Sequence, residues 1–434
     1  MPKVLHITAH LGGGVGRVIT NVALFRKAIH SEIEDVIVCL EPPHKEQVIT
    51  TLRSAGVEVE VAPSSEKLDQ LIETADIIQL EWWNHPLLAQ WLSSRESIFT
   101  RLVVWSHTSG LHYPAIPASF IGLPHTFLFT TPLSLSRCDR STINTIDVVP
   151  SSGGFNDMPQ CQRDFSKQTL SYGYTGTLNP AKLHPKIEDF IEAVDIPGFS
   201  VEFYGDPNPH PALEMKTKDN PTLARRIHLR GFTDHLYNAL QNMDVFVYIL
   251  NPTHYGTTEN GLLEAMACGV VPVVLNNPVE SSIVKNGETG IVVDSPAAFA
   301  FAIKHLHDDP QLRQSMSEAA SADVRSRFSI DVTERQLREH YQRLLDTPKR
   351  RFDFRTIFGS TPWEWFSSCL GNYKDLFSLE TIDASRQERL KLPVLYEKSK
   401  SSVFQFRHYF PDDPMLKQWS EILEEDLASV TITR

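Results

Sequence analysis

The feature that most constrains the fold is a glycine-bearing loop that runs into a helix and then into a buried strand. The loop is His254-Tyr255-Gly256-Thr257-Thr258, and the predicted helix ends at Gly269. Val270–Leu275 follows as a mostly β-branched apolar run, which is typical of a parallel strand covered on both faces. Thr258 is the predicted N-cap, and Gly269 is predicted to take the left-handed conformation that ends a helix.

The start of this helix predicts an anion site. The free backbone amides of Gly256–Gly261 would point out of the N-terminal end of the helix, where a phosphate or diphosphate binds favourably. Helical side chains lean back toward the N-terminus, so the carboxylate of Glu264 could accept hydrogen bonds from both hydroxyls of a ribose. The stretch therefore indicates a site for a nucleotide diphosphate.

Glu264-Ala-Met-Ala-Cys-Gly-Val, followed by Pro-Val-Val, resembles the donor-binding helix of retaining GT-B glycosyltransferases, especially family 4. The resemblance covers residues 1–346, closely in the second half and loosely in the first. It implies an α/β fold of two Rossmann-like, doubly wound parallel-sheet domains that face each other across a cleft. We expect an acceptor domain over residues 1–160, a nucleotide-sugar donor domain over 161–346, and a C-terminal extension over 347–434, part of which could cross back to the first domain.

The resemblance also implies roles for individual residues. It places Glu264 on the ribose, and it places Lys182, which follows Gly176-Thr177-Leu178-Asn179-Pro180-Ala181, on the donor phosphates, where a compact mobile cation is suited. In the family, loops after two further strands contact the base. The predicted donor-binding residues are Gly13, Gly14, Thr177, Lys182, Gly205, Phe232, Tyr255, Gly256, Thr257, Thr258, Glu259, Asn260, Gly261 and Glu264.

Two departures from the family pattern affect this assignment. Thr177 stands where the family has an arginine, and Leu183 replaces the glycine after the lysine. Family 4 commonly has Glu-x7-Glu, whose first carboxylate contacts the sugar, but counting back from Glu264 reaches Gly256. Glu259 is too near Glu264 to fill that place on the usual spacing. The sugar contact is then expected from His254 or Tyr255, or the donor sugar is unusual.

The first half opens with a predicted strand, Lys3–Thr8, and a glycine-rich turn, Gly12-Gly13-Gly14-Val15-Gly16-Arg17. Arg17 occupies the third glycine position of G-x-G-x-x-G, which argues against an NAD-dependent enzyme. The turn resembles the Gly-Gly loop of family-4 transferases, whose amides approach the donor diphosphate or the acceptor. A tight strand-to-helix turn without a ligand is the alternative.

Polar and aromatic side chains follow two predicted strands, where ligands of open α/β sheets bind. Glu81-Trp82-Trp83-Asn84-His85 follows Asp76–Leu80, and His107 follows Leu102–Trp105 by one residue. His107 resembles the family's cleft histidine, so His107 and Lys182 are the predicted catalytic residues, with a structural histidine as the alternative. Glu81, Trp82 and His85 are the predicted acceptor-binding residues, although tryptophan pairs are also common in cores.

Composition limits the partners. The net charge of −12 argues against general nucleic-acid binding. The five cysteines are scattered and odd in number, which indicates reduced thiols and a cytoplasmic protein. We expect neither a signal peptide nor a membrane span. Lys349-Arg350-Arg351 and the aromatic residues after them could form a peripheral membrane contact or an acceptor-binding element, but we expect a buried packing appendage.

The sequence thus predicts a retaining hexosyltransferase that transfers a sugar from a nucleotide-diphosphate sugar to an acceptor hydroxyl. The donor is a substrate, and no cofactor is expected. No Asp-x-Asp stands in a setting for a catalytic metal, so Lys182 and helix amides would stabilise the leaving diphosphate. The alternative is a non-catalytic nucleotide-sugar-binding or scaffold protein of the same fold. The sugar, base, acceptor and oligomeric state stay open.

Overall fold

The computed structural model describes residues 1–43, 46–138, 145–156, 158–205, 211–378, 390, 392–397 and 401–432. Packing divides the chain into two units. The first unit contains Met1–Ser151 and Thr333–Arg434, and the second contains Ser152–Val332. The chain therefore leaves the first unit once and returns to it for its last hundred residues.

Both units are built from strands that alternate with helices. The strands are β1 (Lys3–Thr8), β2 (Glu34–Cys39), β3 (Glu58–Val61), β4 (Ile77–Trp82), β5 (Ile98–Thr100), β6 (Leu102–Ser106), β7 (Thr126–Phe129), β8 (Ile146–Val148), β9 (Tyr172–Thr175), β10 (Val201–Tyr204), β11 (Ile227–Gly231), β12 (Val245–Tyr248), β13 (Val271–Leu275), β14 (Ile291–Val293) and β15 (Arg350–Phe352).

The described helices complete the alternation. They are α1 (Gly13–Ala28), α2 (Gln47–Ser54), α3 (Ser65–Thr74), α4 (Pro86–Ser93), α5 (Ala118–Ile121), α6 (Ile187–Glu192), α7 (Pro211–Asp219), α8 (Pro221–Arg226), α9 (Leu236–Gln241), α10 (Asn260–Ala267), α11 (Pro278–Ile283), α12 (Pro296–Asp308), α13 (Pro310–Phe328), α14 (Ile330–Leu345), α15 (Arg355–Phe358), α16 (Pro362–Ser368), α17 (Pro393–Tyr396), α18 (Val403–Tyr409) and α19 (Pro414–Ile432). Two 3-10 helices span Pro132–Arg137 and Gly371–Phe377.

The sheet of the first unit has seven parallel strands in the order β3-β2-β1-β4-β6-β7-β8. The strand order reverses between β1 and β4, which is a topological switch point. Its central strands read as almost continuous apolar runs because helices cover both faces. Ligands of such sheets bind outside the carboxyl ends of the strands at the switch point.

The sheet of the second unit has six parallel strands in the order β11-β10-β9-β12-β13-β14. This is the strand order of a doubly wound nucleotide-binding fold, with its switch point between β9 and β12. Every residue of β12 and β13 is buried, as their β-branched and aromatic composition predicts. The two sheets confirm the predicted fold of two parallel-sheet α/β domains.

The C-terminal extension packs into the core of the first unit. Its strand β15 pairs antiparallel with β5, with Phe352 opposite Ile98. Large apolar side chains of the extension share one hydrophobic cluster with β1, β4 and β7, and they are Phe352, Phe354, Phe358, Trp365, Phe366, Phe377, Phe406 and Trp419. Lys349 donates a hydrogen bond to the carbonyl of Ala75, and Arg350 donates one to the carbonyl of Leu123. The helices in the described part of the chain include none long and apolar enough to cross a membrane.

Candidate functional site

Neighbouring strands of the second sheet end in glycine. Gly176 follows β9, Gly205 follows β10, and Gly231 ends β11. A Cβ at position 205 would lie 2.1 Å from the backbone oxygen of Gly176, so only glycine allows these strand ends to approach. Thr177 is half-buried beside Gly176, and Phe232 after Gly231 is 55% exposed. The carboxyl edge of the sheet therefore offers bare backbone next to an exposed aromatic ring.

The switch point of this sheet holds a buried ion pair. Lys182 comes from the loop after β9 and Glu259 from the loop after β12, and Lys182 Nζ lies 2.5 Å from Glu259 Oε2. The Tyr248 hydroxyl donates a hydrogen bond to the same carboxylate oxygen at 2.5 Å. Burial would raise the pKa of Glu259, but Lys182, His254 and Tyr248 outweigh it and hold the pKa below its usual value. Glu259 is thus ionised although it is buried.

The structure corrects the expectation that no carboxylate occupies the place of the missing first glutamate. A Cβ at position 256 would lie 1.7 Å from Glu259 Oε1 and 2.7 Å from Lys182 Nζ. The carboxylate of Glu259 thus lies against Gly256, at the position that the Glu-x7-Glu spacing assigns to a glutamate. Glu259 reaches it because its backbone is left-handed, with φ of 51°, which turns the side chain back toward Gly256.

The helix α10 begins one residue later than predicted. Its N-cap is Glu259 rather than Thr258, and the Glu259 side chain makes no capping hydrogen bond. Thr258 and Thr257 are buried instead, and Asn260 is the first helical residue. At the other end, Gly269 has φ of 74°, which confirms its predicted left-handed conformation.

Other members of the predicted donor set lie on or beside α10. A Cβ at Gly261 would lie 2.8 Å from the carbonyl oxygen of Thr175, so glycine lets the first turn of α10 pack against the end of β9. Glu264 is buried one turn into the helix. Tyr255 is half-buried, and its ring centroid lies 5.8 Å from Lys182 Nζ.

Three buried polar atoms at this end of the sheet lack a hydrogen-bond partner in the described part of the chain. Oε1 of Glu259, Oγ1 of Thr175 and Oδ1 of Asn179 are buried and have no hydrogen-bond partner among the described residues. All three come from the loops after β9 and β12 or from the end of β9. Buried polar atoms are almost always satisfied in folded proteins, so a group of orphaned acceptors points to a ligand that supplies donors.

A second buried carboxylate, which the sequence motifs do not predict, lies near this site. Glu280, on α11, is fully buried, and its Oε1 lies 2.9 Å from His254 Nε2. His254 Nδ1 accepts a hydrogen bond from the amide of Gly256 at 3.0 Å, so the ring links Glu280 to the loop. A buried glutamate in the first turn of a short helix is a weak sequence signal, because acidic residues are common there.

In the first unit, His107 belongs to a buried polar network. Its Nδ1 lies 2.9 Å from Ser151 Oγ, and its Nε2 lies 2.8 Å from Glu81 Oε2. The other oxygen of Glu81 lies 2.9 Å from His6 Nδ1. Burial would raise the pKa of Glu81, but His107 and His6 lower it to about 2. The network holds the His107 ring in place at the end of β6.

The structure contradicts two of the acceptor assignments. Trp82 is 0% exposed, and its ring packs on Phe120 and Phe358 in the core, so it cannot stack on an acceptor. Glu81 is equally buried, and both its oxygens face histidines. The reason is that β4 continues through Trp82, two residues beyond the predicted strand end. His85 is buried after the strand, where its Nδ1 accepts the amide of Leu87.

The glycine-rich turn of the first unit is exposed. Gly13 and Gly14 begin α1, and Gly13 has φ of 64°. The amide of Gly12 donates a hydrogen bond to His10 Nδ1 at 2.9 Å. No ligand contact follows from these observations alone, so the role of Gly13 and Gly14 in donor binding stays a prediction.

Comparisons with known sequences point to one family. Residues 171–309 match the family model described as Glycosyl transferases group 1. YtcC of Bacillus subtilis (strain 168), which is named as a glycosyltransferase, is 34% identical over 91 residues, or 20% of this chain and 22% of YtcC. CapM of Staphylococcus aureus, a capsular polysaccharide biosynthesis glycosyltransferase, is 32% identical over 106 residues, or 24% of this chain and 27% of CapM. The matched segments thus span only about a quarter of these relatives.

Solved structures match over most of the chain. A glycosyltransferase from Rickettsia africae ESF-5 has a TM-score of 0.59 and 16% identity, covering 80% of this chain and 99% of the other. Anabaena Alr3699/HepE in complex with UDP has a TM-score of 0.60 and 16% identity, covering 79% and 100%. Sucrose-phosphate synthase from Thermosynechococcus elongatus has a TM-score of 0.59 and 15% identity, covering 79% and 99%.

At these identities, the structural matches establish the fold. The two parallel sheets correspond to those of GT-B glycosyltransferases. The family match falls within the second unit, which holds the Lys182–Glu259 pair and α10. The chain therefore has the GT-B fold, with a Glycosyl transferases group 1 domain over residues 171–309.

Proposed function

We propose that this chain is a glycosyltransferase that transfers a hexose from a nucleotide-diphosphate sugar to an acceptor hydroxyl. We further propose that the anomeric configuration of the transferred sugar is retained and that no metal ion is required. The observation that carries the proposed function is the buried Lys182–Glu259 pair at the switch point of the second sheet, together with buried polar atoms of the same loops and strand end that make no hydrogen bond in the described part of the chain. A cation, a carboxylate and unpartnered acceptors suit a ligand that has both phosphates and hydroxyls.

The ion pair suggests how the donor is received. Lys182 Nζ already neutralises Glu259, and the two side chains lie in the loops that flank the switch point. An arriving diphosphate would compete with Glu259 for the lysine. The carboxylate is then released to accept hydrogen bonds from sugar hydroxyls, together with Thr175 and Asn179. One binding event would thus exchange a protein ion pair for two ligand contacts.

The departing diphosphate needs positive charge. Lys182 and the amides at the start of α10 would stabilise it, and Glu264 would hold the ribose, as the family resemblance implies. The remaining donor-site assignments, including the base contacts at Gly205 and Phe232, belong to this proposal. In the retaining mechanism of the family, the acceptor hydroxyl attacks from the face that the diphosphate leaves, so no protein nucleophile is required. His107 stays a predicted catalytic residue, as the family resemblance implies.

Known relatives support the choice of donor and setting. Anabaena Alr3699/HepE was crystallised with UDP, with UDP and glucose, and with UDP-glucose. We therefore take uridine diphosphate sugars as the first donors to test. The name of CapM describes capsular polysaccharide biosynthesis, which supports a role in carbohydrate biosynthesis. We propose a cytoplasmic location on the basis of the scattered cysteines.

A binding experiment tests the donor site. The melting temperature should rise with UDP and rise further with one UDP-sugar, because a ligand at 100 times its Kd adds about 2.7 kcal/mol to stability. Glu264→Gln should weaken UDP binding by roughly 1.5–3 kcal/mol if the carboxylate holds the ribose. Glu288→Gln changes an exposed glutamate of the same unit and serves as the control. No stabilisation by any nucleotide, or equal affinity in Glu264→Gln, would overturn the proposal.

A nucleotide-sugar-binding protein without transfer is the second candidate. It is favoured by one observation, which is that Lys182 is already neutralised by Glu259. Incubation with UDP-, GDP- and dTDP-sugars and a mixture of glycoside acceptors, followed by mass spectrometry, separates the two. Glycosylated product shows an enzyme, whereas tight donor binding with neither transfer nor hydrolysis shows a binding protein.

A further inference from the structure

A second cluster of polar and aromatic side chains lies at the switch point of the first sheet. His10 follows β1, Glu41 follows β2, and Trp83 and His85 follow β4. These three strands are adjacent, in the order β2-β1-β4. His10 Nε2 lies 3.9 Å from Glu41 Oε1, and His85 Nε2 lies 3.6 Å from the same oxygen. The cluster therefore occupies the place where open α/β sheets bind their ligands.

The C-terminal extension contributes a fifth member. The hydroxyl of Tyr409, at the end of α18, donates to Glu41 and lies 2.9 Å and 2.8 Å from its two oxygens. The ring centroid of Tyr409 is 5.0 Å from that of His85. Ser401, just before α18, donates a hydrogen bond to the carbonyl of Asn84 at 2.8 Å. Burial and the Glu41 carboxylate raise the pKa of Tyr409, so its hydroxyl stays protonated and donates.

Two histidines and a carboxylate could hold a metal ion, but the hydrogen bonds of the rings oppose it. His10 Nδ1 accepts the amide of Gly12, and His85 Nδ1 accepts the amide of Leu87. An acceptor nitrogen carries no proton, so the proton of each neutral ring is on Nε2, which faces Glu41. A metal-binding histidine has the opposite arrangement, because it ligates through one nitrogen and donates from the other.

The same arrangement suits hydroxyl groups. The Nε2–H groups of the histidines are donors and the Glu41 carboxylate is an acceptor, and a hydroxyl uses both kinds of partner. The side chains of His10 and Glu41 are 22% and 24% exposed, so a ligand can reach them. Trp83 is half-buried beside them, with its ring centroid 5.6 Å from that of His10. An aromatic face next to hydroxyl-binding groups matches a sugar ring, which has an apolar face and a polar rim.

We propose that His10, Glu41 and Trp83 form the pocket for a hydroxyl-bearing sugar ring of the acceptor, with Tyr409 as a positioning residue that orients Glu41. The inference rests on the proposed transferase function, because it takes the sugar at this pocket to be the acceptor. It moves the acceptor site from the buried Glu81 and Trp82 to side chains that a ligand can reach. It also gives the C-terminal extension a role in acceptor choice.

Direct binding to the full chain tests the pocket. The probes are methyl α-D-glucopyranoside, methyl α-D-galactopyranoside and methyl α-D-mannopyranoside, followed by saturation-transfer difference NMR. Trp83→Leu and Glu41→Gln should each weaken glycoside binding about ten-fold or more, since Glu41 makes charged hydrogen bonds. Tyr409→Phe keeps its ring and should weaken binding about three-fold. Tyr373→Phe, a half-buried tyrosine of the extension that contacts Tyr113, should change nothing.

Three outcomes would overturn the pocket: no saturation transfer to any glycoside with the wild-type chain, unchanged binding in Trp83→Leu and Glu41→Gln, or micromolar binding of ZnCl2 that His85→Gln abolishes. Calorimetry with UDP and UDP-glucose on the same variants keeps the two proposals apart. If the wild-type chain binds no nucleotide, the transferase function is contradicted. If nucleotides bind but the variants bind glycosides as the wild-type chain does, only the pocket is contradicted.

Discussion

A single left-handed residue accounts for the main difference between this chain and the Glu-x7-Glu pattern. Glu259 lies five residues before Glu264, yet its carboxylate lies against Gly256, eight residues before it. The backbone at Glu259 has φ of 51°, which is uncommon for a residue with a Cβ. The Lys182 ammonium and the Tyr248 hydroxyl hold the side chain in this position. The carboxylate thus comes from a different sequence position than in the Glu-x7-Glu pattern, but it still lies against Gly256 at the switch point.

We predict that a glutamate at position 256 can replace Glu259 as the partner of Lys182. Glu259→Gly should cost about 3–5 kcal/mol, because it leaves Lys182 buried without a counter-charge. Adding Gly256→Glu should recover more than half of that loss, because position 256 is not left-handed and glycine suits the left-handed backbone at 259. Chemical denaturation followed by circular dichroism measures the change. A double variant less stable than Glu259→Gly would show that the two positions are not interchangeable.

The sequence could predict the glycines at the ends of strands and the left-handed Gly269, because these depend on spacing along the chain. It could not place the Glu259 carboxylate, because that depends on one backbone angle set by partners distant in sequence. The tryptophan pair shows the same limit. Trp82 is the last residue of β4 and is buried, and Trp83 is outside the strand and half-buried. Because the predicted strand ended two residues too early, the sequence prediction assigned acceptor binding to the buried Trp82 and not to the half-buried Trp83.

At the scale of elements, most of the parallel strands could be predicted because they are continuous apolar runs between turns. The antiparallel pair of β5 and β15 was missed. Each has three residues, and β15 reads Arg-Arg-Phe, which has no strand pattern. Its pairing depends on a partner 250 residues away, which no local signal reveals. The basic run that suggested a membrane contact is the start of this strand.

Phe352 should fix β15 in place. It is 1% exposed in the core cluster, whereas Phe99 on the paired strand is 53% exposed. Phe352→Ala should destabilise the first unit by about 3–5 kcal/mol, as expected for a buried phenylalanine. Phe99→Ala is the matched control and should cost less than about 1 kcal/mol, since its ring contacts solvent and Arg351. All seven tryptophans lie in the first unit, so tryptophan fluorescence in urea reports its unfolding. Equal losses in the two variants would mean that the pairing does not depend on this side chain.

At the scale of the whole chain, a buried charge network joins the returning helix α14 to the first sheet. Arg26 on α1 contacts Asp35 on β2 at 2.6 Å and Glu334 on α14 at 3.4 Å. Asp35 also lies 3.0 Å from His6, which contacts Glu81. The hydroxyl of Tyr341, also on α14, donates to Gln79 on β4 at 2.5 Å. After leaving the second unit, the chain thus packs against buried polar side chains of α1 and β4 in the first unit.

This network should make the stability of the first unit depend on pH. Burial would lower the pKa of His6, but Asp35 and Glu81 raise it to about 9, from 6.5 in the unfolded chain. The folded state therefore binds more protons than the unfolded state between these values. The stabilisation is complete below pH 6.5 and is lost as the pH rises toward 9, by about 1.4 kcal/mol per pKa unit. The pKa of Glu81 is lowered to about 2, so its contribution is lost as the pH falls from 4.5 toward 2.

We predict that the first unit is most stable between pH 4.5 and 6.5, and that raising the pH to 9 destabilises it by up to about 3 kcal/mol. His6→Gln keeps a polar side chain but does not titrate, so the slope between pH 6.5 and 9 should disappear although the variant is less stable overall. His228→Gln removes a half-buried histidine that pairs with Glu202 in the second unit, and it should keep the wild-type slope. Urea unfolding followed by tryptophan fluorescence at half-unit pH intervals measures all three proteins. If His6→Gln retained the wild-type slope, the loss of stability at alkaline pH would have to come from groups other than His6.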